Sequence, residues 1–549
     1  MARLADDLRS LIKGDVLDSK ETLELYSHDA SLFEIVPQVV CYPKDSEDVK
    51  AIVRFVSENK GGYTNLSITA RSAGTDMSGG AIGSSVILDF TRYMHSIKEI
   101  GENFGVVEPG CFYRDFEKAT LEKGLIMPAY TASKEICAVG GMVANNSGGE
   151  KTIKYGKVEN YVEKLKVIFT DGNEYTVTAL SKEELARKAS QGDFEGSVYA
   201  GIQKLIFENL ETIKKAKPSV SKNSAGYYLW NVWDEEKQVF DLCKLIVGSQ
   251  GTLGIVTEIR FRLVPVEKFS NVLAVFLPEI RNLPQMVGEV LPLNPDSLES
   301  YDDYSMKLAV RFFFDFFVQL GFLRTIKLGL RFIPEALMML TGGVPKLILL
   351  VEFSGKSEEE VKSKLEEASK RLEHYGYKMR IAKDSGEAEK YWRIRRESFN
   401  MLRKHVRGKR TAPFIDDIIV KPEFLPAFLP RLESYLKEYK LVYTIAGHAG
   451  NGNFHIIPLM DLGSPFSADT ILELSKKVYD LVVEYKGSIT AEHNDGIIRT
   501  PYLTQMYGSE VVELFASTKR IFDPKNILNP GKKVGGTFED IKKYIKKKN

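Results

Sequence analysis

The sequence predicts an α+β protein with several domains, on the evidence of its length, its composition and its alternating strand-like and helix-like segments. The chain has 549 residues, of which 44% are hydrophobic and 27% charged, which is enough for more than one apolar core. Short strand-like runs alternate with amphipathic segments in a first domain at 38–266 and again in a second domain at 267–515. A helical segment at 1–37 and a C-terminal segment at 516–549 flank them, and we expect the latter to return to the first domain.

The elements of the first domain follow from local patterns. The N-terminal MARLADDLRSLIKGD mixes acids and bases with short apolar steps, which predicts a helix of a cytoplasmic protein rather than a signal peptide. Pro43 is followed by the acidic residues Asp45 and Glu47, which favour the start of a helix. A helix is therefore expected over 44–60. The runs SITARSAG and SSVILDF predict strands.

The second domain and the C-terminus show the same kinds of pattern. The runs VLAVFLP and KLILLVEFS predict strands, and SEEEVKSKLEEASKRLEHYG predicts an amphipathic helix with a solvated charged face. The C-terminal KRIFDPKNILNPGKK is rich in turn-forming residues. No repeat of fixed period and no long low-complexity linker divides the chain, so we expect the domains to pack against each other.

Charge and cysteine content exclude several classes of protein. The chain has 75 Lys and Arg against 74 Asp and Glu, a net charge of +1, and therefore lacks the positive field that nucleic-acid binding draws on. Its four cysteines are widely separated, which excludes a disulfide scaffold, a zinc ribbon and an iron–sulfur loop.

The most apolar stretch, at 308–340, is not predicted to span a membrane. Charged residues, among them Arg311, Asp315 and Arg324, interrupt it more often than a bilayer-spanning helix allows. Its many phenylalanines suit either a helical hairpin covered by its own core or by a partner, which we favour, or a helix lying at a membrane surface.

Three glycine-rich segments dominate the first domain. They are RSAGTDMSGG at 71–80, GGMVANNSGG at 140–149 and VGSQGTLGIV at 247–256, and PAYTASK at 128–134 precedes the second. Glycines and other small residues allow backbone N–H groups to converge on an anion such as a diphosphate. Each segment alone could be a tight turn, and none is a Walker or G-x-G-x-x-G motif. Together they favour one long cofactor with phosphates and two ring systems.

Histidines cluster near the end of the second domain. Three of the seven lie between 448 and 493, in GHAGNGNFH and AEHNDG, where an even spread would place fewer than one. Two histidines with a carboxylate suit a divalent transition metal such as zinc and leave coordination positions open for substrate. The alternative is that these histidines bind loop backbone only.

At this point the chain resembles the flavoprotein superfamily of vanillyl-alcohol oxidase and p-cresol methylhydroxylase. The segments RSAGTDMSGG, VEPG, ICAVGGMVANNSGG and VGSQGTLGIVTE match its pattern in order, and GHAGNGNFH with EHNDG resembles its D-2-hydroxyacid dehydrogenase branch, which includes D-lactate, glycolate and D-2-hydroxyglutarate dehydrogenases. The resemblance implies a two-subdomain FAD-binding domain of the p-cresol methylhydroxylase type at 38–266. It also implies an α+β substrate-binding cap domain with an antiparallel sheet and the metal site at 267–515.

The resemblance implies non-covalent FAD, because the first loop has no histidine and neither Cys111 nor Cys137 matches a known linkage motif. One departure is Ala138, where many relatives carry threonine. The residues expected to bind the cofactor are Arg71, Ala73, Gly74, Thr75, Asp76, Ser78, Gly79, Pro128, Ser133, Gly140, Gly141, Asn145, Gly148, Gly149, Gly251, Gly254, Ile255, Val256 and Asn529.

The same resemblance assigns roles in the second domain. His448, His455 and Glu492 become ligands of a divalent metal, with zinc the preferred candidate, and His493 becomes the general base.

Two further roles concern the substrate. Asn453 would contact it, and the YWRIRRES segment makes Arg395 the preferred clamp for its carboxylate, with Arg396 second. Near Lys409 a lysine of the hydroxyglutarate enzymes has no clear counterpart, which puts the dicarboxylate substrate in doubt.

These assignments predict a metal-assisted, FAD-dependent dehydrogenase that oxidises a small D-2-hydroxy acid. Expected partners are a quinone or a separate iron–sulfur or electron-carrier subunit, with a homodimer and a peripheral contact at the inner face of the membrane left open. One alternative is a non-catalytic flavin-binding subunit of an electron-transfer complex. Another is the alkylglycerone-phosphate synthase type, which has a different histidine cluster.

Overall fold

The computed structural model describes residues 4–303, 345–405 and 410–546. The apolar stretch at 308–340 and Lys409 lie outside these residues. The chain forms a mixed helix and sheet structure, as predicted, with one sheet containing parallel strands and larger sheets that are antiparallel. Among the described residues, no helix combines the length and apolar composition needed to cross a membrane.

The first sheet has four strands in the order β1-β2-β4-β3. The strands are β1 (Asp15–Leu17), β2 (Val39–Tyr42), β3 (Ile68–Arg71) and β4 (Val86–Asp89). β4 pairs in parallel with both β2 and β3, and the predicted helix between β2 and β3 spans Ser46–Glu58, with the Asp45 side chain accepting from the N–H of Asp48. The first glycine-rich segment begins where β3 ends, at the carboxyl edge of this sheet, where open α/β sheets commonly bind ligands.

The second sheet has seven strands in the order β10-β11-β9-β8-β12-β6-β5, and every neighbouring pair is antiparallel. Its strands are β5 (Ile97–Ile100), β6 (Phe104–Val107), β8 (Val162–Ile168), β9 (Glu174–Ser181), β10 (Trp233–Asp234), β11 (Val239–Asp241) and β12 (Ile255–Arg262). The short strands β7 (Leu125–Ile126) and β13 (Val264–Pro265) form a separate pair. The third glycine-rich segment leads directly into β12, an interior strand of this sheet.

The third sheet has eight strands and confirms the antiparallel sheet expected of the second domain. The order is β17-β14-β16-β15-β20-β21-β18, and β19 also pairs with β21. The strands are β14 (Phe269–Leu277), β15 (Ser297–Asp302), β16 (Leu347–Gly355), β17 (Lys378–Ile381), β18 (Arg410–Thr411), β19 (Ile418–Ile419), β20 (Val442–His448) and β21 (Asn453–Met460). VLAVFLP and KLILLVEFS lie in β14 and β16, as predicted.

Helices cover the faces of these sheets. The α-helices of the described residues are Leu4–Leu11, Lys20–Tyr26, Ser46–Glu58, Tyr113–Leu121, Val139–Asn145, Thr152–Tyr155, Lys182–Ala189, Phe194–Glu208, Leu210–Ala216, Cys243–Ile246, Leu283–Val290, Glu358–Leu372, Ser385–His405, Leu425–Glu438, Ser467–Glu484, Gly496–Arg499, Leu503–Phe522 and Phe538–Tyr544. The three sheets contribute to three large clusters of buried apolar side chains, and Ile168 and Ile255 of the second sheet pack in the cluster of the first.

The C-terminal segment packs back against the first sheet. Leu528 bridges to Ile68 of β3, and the side-chain amide of Asn529 donates to the carbonyl oxygens of Gly80 and Gln250, both at 2.8 Å. One buried asparagine thus joins the first glycine-rich segment to the third.

Candidate active site

A cavity of about 880 Å³ lies between the glycine-rich segments and the third sheet, within the usual range of small-molecule sites. Its wall includes thirteen of the residues predicted to bind the cofactor, which are Arg71, Ala73, Gly74, Thr75, Asp76, Ser133, Gly140, Gly141, Asn145, Gly148, Gly251, Gly254 and Val256. The same wall contains Arg395, Arg396, His448, His455, Glu492 and His493. The two groups of residues that the sequence singled out therefore face one space.

Six predicted cofactor residues do not form part of this wall: Ser78, Gly79, Pro128, Gly149, Ile255 and Asn529. Ser78 and Asn529 contact the wall through hydrogen bonds to Gln250. A Cβ atom on Gly149 would lie 2.0 Å from the carbonyl oxygen of Tyr130, so glycine is needed for the backbone to pass there.

Asp76 stabilises the first loop internally. One carboxylate oxygen accepts from the N–H groups of Ser78 at 3.0 Å and Gly80 at 2.7 Å, and the other accepts from the Asn145 amide at 2.9 Å. Those two N–H groups are consequently already satisfied by Asp76. Gly74 has a φ of +66°, a left-handed conformation that favours glycine, and it lines the cavity beside Thr75.

Gln250 links three parts of the site, and nothing in its sequence context indicated this. Its side-chain amide donates to the hydroxyl of Ser78 at 3.0 Å and accepts from the N–H of Gly496 at 2.9 Å. The first and third glycine-rich segments are thereby tied to the EHNDG segment.

The β20–β21 hairpin and the EHNDG segment bring the four predicted residues together. Nε2 of His448, His455 and His493 lie 3.0, 3.5 and 4.0 Å from the same oxygen, Oε1 of Glu492. His448 ends β20 and His455 lies in β21, so the hairpin places both imidazoles on one side of the carboxylate. Three nitrogens thus converge on one carboxylate oxygen at the wall of the cavity.

Buried carboxylates hold the other ring nitrogens. Glu299 of β15 lies 2.6 Å from Nδ1 of His448, and Asp416 lies 3.0 Å from Nδ1 of His455 and 2.6 Å from Nδ1 of His493. Carboxylates that bind Nδ1 orient metal-binding histidines and leave Nε2 free. Neither carboxylate is indicated by a local sequence pattern.

The donor set fits a divalent metal. Ligand atoms of Asp417, His455, Glu492 and His493 lie within 4.8 Å of one another. Imidazole nitrogen and carboxylate oxygen are the ligands that zinc and similar metals take. His448 is not a member of this group, although its Nε2 lies 3.0 Å from Oε1 of Glu492.

Both carboxylate oxygens of Asp417 accept hydrogen bonds from neighbouring groups. One of its oxygens accepts from the N–H groups of Glu492 at 2.8 Å and His493 at 2.7 Å, and from the Thr490 hydroxyl at 2.6 Å. The other oxygen accepts from the Asn453 amide at 3.1 Å. Asp417 therefore fixes the segment that carries Glu492 and His493.

The charges in this cluster shift one another's pKa values. Burial lowers the pKa of His455, but Asp416 and Glu492 outweigh it and raise that pKa to about 10. Burial raises the pKa of Glu492, but Lys222 and His448 hold it well below its usual value. Likewise, burial lowers the pKa of His493, but Asp416 and Asp417 outweigh this effect and raise that pKa above its usual value.

Lys222 is a further member of the cluster that the sequence did not indicate. Its ammonium lies 3.0 Å from Oε2 of Glu492 and 3.4 Å from Oδ1 of Asn453, and its side chain is fully buried. Asn453, which was expected to contact substrate, lies outside the cavity wall, with its amide bound to Asp417 and the carbonyl oxygen of Ile418.

The two arginines expected to bind the substrate carboxylate both have acidic partners. Arg395 lies 3.1 Å from Oε2 of Glu299, and Arg396 binds Glu150 through two parallel hydrogen bonds of 2.8 and 2.7 Å. Both residues line the cavity, but Arg395 is the more deeply buried and shares Glu299 with His448.

Comparison with known protein families divides the chain into two parts. Residues 37–178 match a family described as "FAD binding domain", and residues 267–533 match "FAD linked oxidases, C-terminal domain". Lys222 and the third glycine-rich segment lie between the two matches.

Curated relatives cover nearly the whole chain at low identity. The chain is 26% identical to a D-2-hydroxyglutarate dehydrogenase of Pantoea ananatis, over 94% of this chain and 50% of the relative. It is 26% identical to a glycolate oxidase subunit of Bacillus subtilis, covering 94% and 93%, and 27% identical to a D-lactate dehydrogenase of Anaerostipes hadrus, covering 94% of each. The chain spans about half the length of four of the hydroxyglutarate dehydrogenases that it matches, but 98% of another, from Stutzerimonas stutzeri, to which it is 27% identical.

A solved structure shares the fold. p-Cresol methylhydroxylase with bound substrate superposes with a TM-score of 0.66 at 16% identity, covering 97% of this chain and 96% of that one. The likeness supports the predicted p-cresol methylhydroxylase type of fold.

Proposed function

Because this chain belongs to the FAD-linked oxidases, with their FAD-binding domain followed by their C-terminal domain, we propose that it oxidises a D-2-hydroxy acid to the 2-oxo acid. The observation that carries the proposal is the convergence of His448, His455 and His493 on Glu492 at the wall of the cavity that the glycine-rich segments line. The names of the relatives, which include D-2-hydroxyglutarate and D-lactate dehydrogenases, support this substrate class.

The residues around the cavity suit FAD. Gly74 and Gly251, with φ values of +66° and +67°, lie on opposite glycine-rich segments where a side chain would strain the backbone. When bound, FAD would supply the acceptor for a hydride. The three glycine-rich segments would hold it, with Asp76 joining the first segment to the second and Gln250 joining the first to the third.

The histidine cluster suits a divalent metal, with zinc the preferred candidate. His448, His455 and Glu492 would be its ligands. When bound, the metal would supply a Lewis acid that orients the substrate hydroxyl and lowers the pKa of that hydroxyl. Lys222 binds the far oxygen of Glu492, which leaves the near oxygen for the metal.

His493 is placed to act as the general base. Its Nδ1 is bound to Asp416, so its Nε2 is the nitrogen available to accept the hydroxyl proton as the Cα hydrogen leaves as hydride. Arg395 is the preferred group for the substrate carboxylate, because a guanidinium offers several donors and can bind substrate while it keeps Glu299. We propose that the electrons then pass to a quinone or to a protein carrier, such as a separate iron–sulfur subunit.

The test is anaerobic absorbance of the purified flavoprotein as D- and L-2-hydroxy acids are added, before and after chelator treatment. We expect one D-acid to bleach the flavin, chelation to abolish the bleaching, and Zn²⁺ to restore it. A flavin that dithionite reduces but no acid of the panel reduces would contradict the proposal and favour a non-catalytic flavin-binding subunit.

A further inference from the structure

Asp416 lies between two histidines with different expected roles. Its Oδ1 is 3.0 Å from Nδ1 of His455, and its Oδ2 is 2.6 Å from Nδ1 of His493. The two rings are nearly parallel, with centroids 4.9 Å apart and an interplanar angle of 22°. One carboxylate therefore holds a stacked pair of imidazoles.

The surroundings keep Asp416 in this position. The residue is completely buried, and its backbone carbonyl accepts from the guanidinium of Arg499 at 2.6 Å. Arg499 is itself completely buried and also donates to the carbonyl of Asn494, in the segment that carries His493. The carboxylate, its backbone and one of its partner histidines are thus tied together.

An ionised carboxylate can only accept hydrogen bonds. Both histidines must then carry a proton on Nδ1 to bind it, and in the neutral imidazole this leaves the Nε2 lone pair free. Nε2 of His455 and of His493 are the nitrogens that face Oε1 of Glu492, at 3.5 and 4.0 Å.

We propose that Asp416 is a positioning residue that sets the tautomer of the metal ligand His455 and of the general base His493 at the same time. Metal ligation and proton acceptance both require a free Nε2 lone pair, so one carboxylate prepares both steps. This inference rests on the proposed function, which assigns the two roles. His448 is independent of Asp416, because Glu299 holds its Nδ1.

The Asp416→Asn variant keeps the shape of the side chain but removes its negative charge and one of its two acceptor oxygens. An asparagine amide offers one acceptor oxygen and one NH₂ donor group, so only one histidine can keep its Nδ1 proton towards it. The histidine that faces the NH₂ group must accept at Nδ1, which moves its proton to Nε2. That histidine can then neither bind a metal nor accept a proton through Nε2.

Two measurements on chelator-treated holoenzyme distinguish which histidine is affected. Calorimetric titration with Zn²⁺ reports on His455, and we expect a loss of about 10–100-fold in affinity if its tautomer changes. Anaerobic stopped-flow reduction of the flavin, with Zn²⁺ present at saturation, reports on His493. Here we expect a fall of about 10²–10⁴-fold in the limiting rate if the base is lost.

Asp296→Asn is the matched control, since Asp296 is also a buried aspartate with cationic partners but lies outside the cavity wall. It should change neither measurement more than about twofold. Asp416→Glu retains a carboxylate and should recover part of whichever property the asparagine variant loses.

The inference is overturned if Asp416→Asn binds Zn²⁺ and is reduced as fast as the parent protein, or if Asp296→Asn shows the same losses. If no acid reduces the parent flavin, the proposed function fails, whereas the Zn²⁺ titration still tests Asp416 and His455.

Discussion

His493 is bound through one ring nitrogen and presents the other to the cavity. Asp416 binds its Nδ1, and Asp417 accepts from its backbone N–H, so both the ring and the main chain of this residue are held by neighbouring carboxylates. If His493 is the proposed base, a side chain held in this way needs no rearrangement before it accepts a proton. Glu492, next to it in the chain, is held by the same Asp417 and by Lys222.

We predict that His493→Gln lowers the limiting rate of flavin reduction by about 10²–10⁴-fold, because the proton acceptor is lost. FAD content and Zn²⁺ stoichiometry should stay at parent values, since the expected metal ligands remain. Stopped-flow absorbance and metal analysis provide the measurements. His374→Gln, at an exposed histidine, is the control and should behave as the parent protein. A His493 variant that is reduced at the parent rate would remove this residue from the mechanism.

Lys222→Met should destabilise the metal-free protein by about 3–5 kcal/mol, because it removes the buried ammonium group that is paired with the Glu492 carboxylate. A bound metal would compensate that charge, so Zn²⁺ should raise the melting temperature of the variant more than that of the parent. Thermal unfolding with chelator and with Zn²⁺ measures both effects. Lys437→Met, in an exposed ion pair, should leave both melting temperatures nearly unchanged. An equal response of variant and parent to Zn²⁺ would argue against a metal at Glu492.

Strand pairing in the third sheet determines which side chains meet. Ser300 of β15 is opposite Gly447 of β20, which brings Glu299 beside His448. Ile419 of β19 is opposite Asn453 of β21, and this pairing carries the preceding Asp416 and Asp417 to the site. The turn between β20 and β21 is therefore critical, because a shift of one residue would turn each side chain to the other face.

We predict that Gly452→Ala weakens this hairpin and lowers Zn²⁺ affinity. Gly452 has a φ of +71°, and a Cβ atom there would lie 2.0 Å from the carbonyl oxygen of Val420. Gly288→Ala is the matched control, since Gly288 lies within a helix where a Cβ atom meets no neighbour within 4 Å. That control should stabilise the protein by about 0.5–1 kcal/mol. Thermal unfolding and Zn²⁺ titration of both variants test this, and equal stability of the two would contradict it.

At the scale of the whole molecule, the site is assembled from segments that are far apart in the chain. The C-terminal Asn529 joins the first and third glycine-rich segments, and Gln250 joins these to the EHNDG segment. Lys222, which precedes the third glycine-rich segment, reaches Glu492, the proposed metal ligand. Breaking one of these links should consequently destabilise both the cofactor cavity and the histidine cluster.

Asn529→Ala should weaken FAD retention, because it removes the side-chain amide that binds the carbonyl oxygens of Gly80 and Gln250, two residues that line the cavity. Leaving buried carbonyl oxygens without a hydrogen bond costs about 1–3 kcal/mol. If this cost mainly destabilises the FAD-bound protein, it corresponds to a loss of roughly 5–150-fold in FAD affinity. Flavin fluorescence during dilution measures the release. Asn526→Gly, at an exposed position with a φ of +49° on the same segment, is the control and should retain FAD as the parent does. Unchanged retention in Asn529→Ala would show that this link does not support the cofactor site.

The sequence alone determined the α+β class, the main strands, the three glycine-rich segments and the four residues His448, His455, Glu492 and His493. These follow from hydrophobic periodicity, from glycine where the backbone needs it, and from an unusual local concentration of histidine and carboxylate, all of which are short-range signals. Only the tertiary structure identified Glu299, Asp416, Asp417 and Lys222, and only it placed Asn453 behind the cavity wall. Nothing in the local sequence around these residues distinguishes them from other acids, lysines or amides. They matter because strand pairing and the folding of distant segments bring them to the site. Hydrogen bonds between segments separated by tens to hundreds of residues depend on how the sheets pair, which no local pattern encodes.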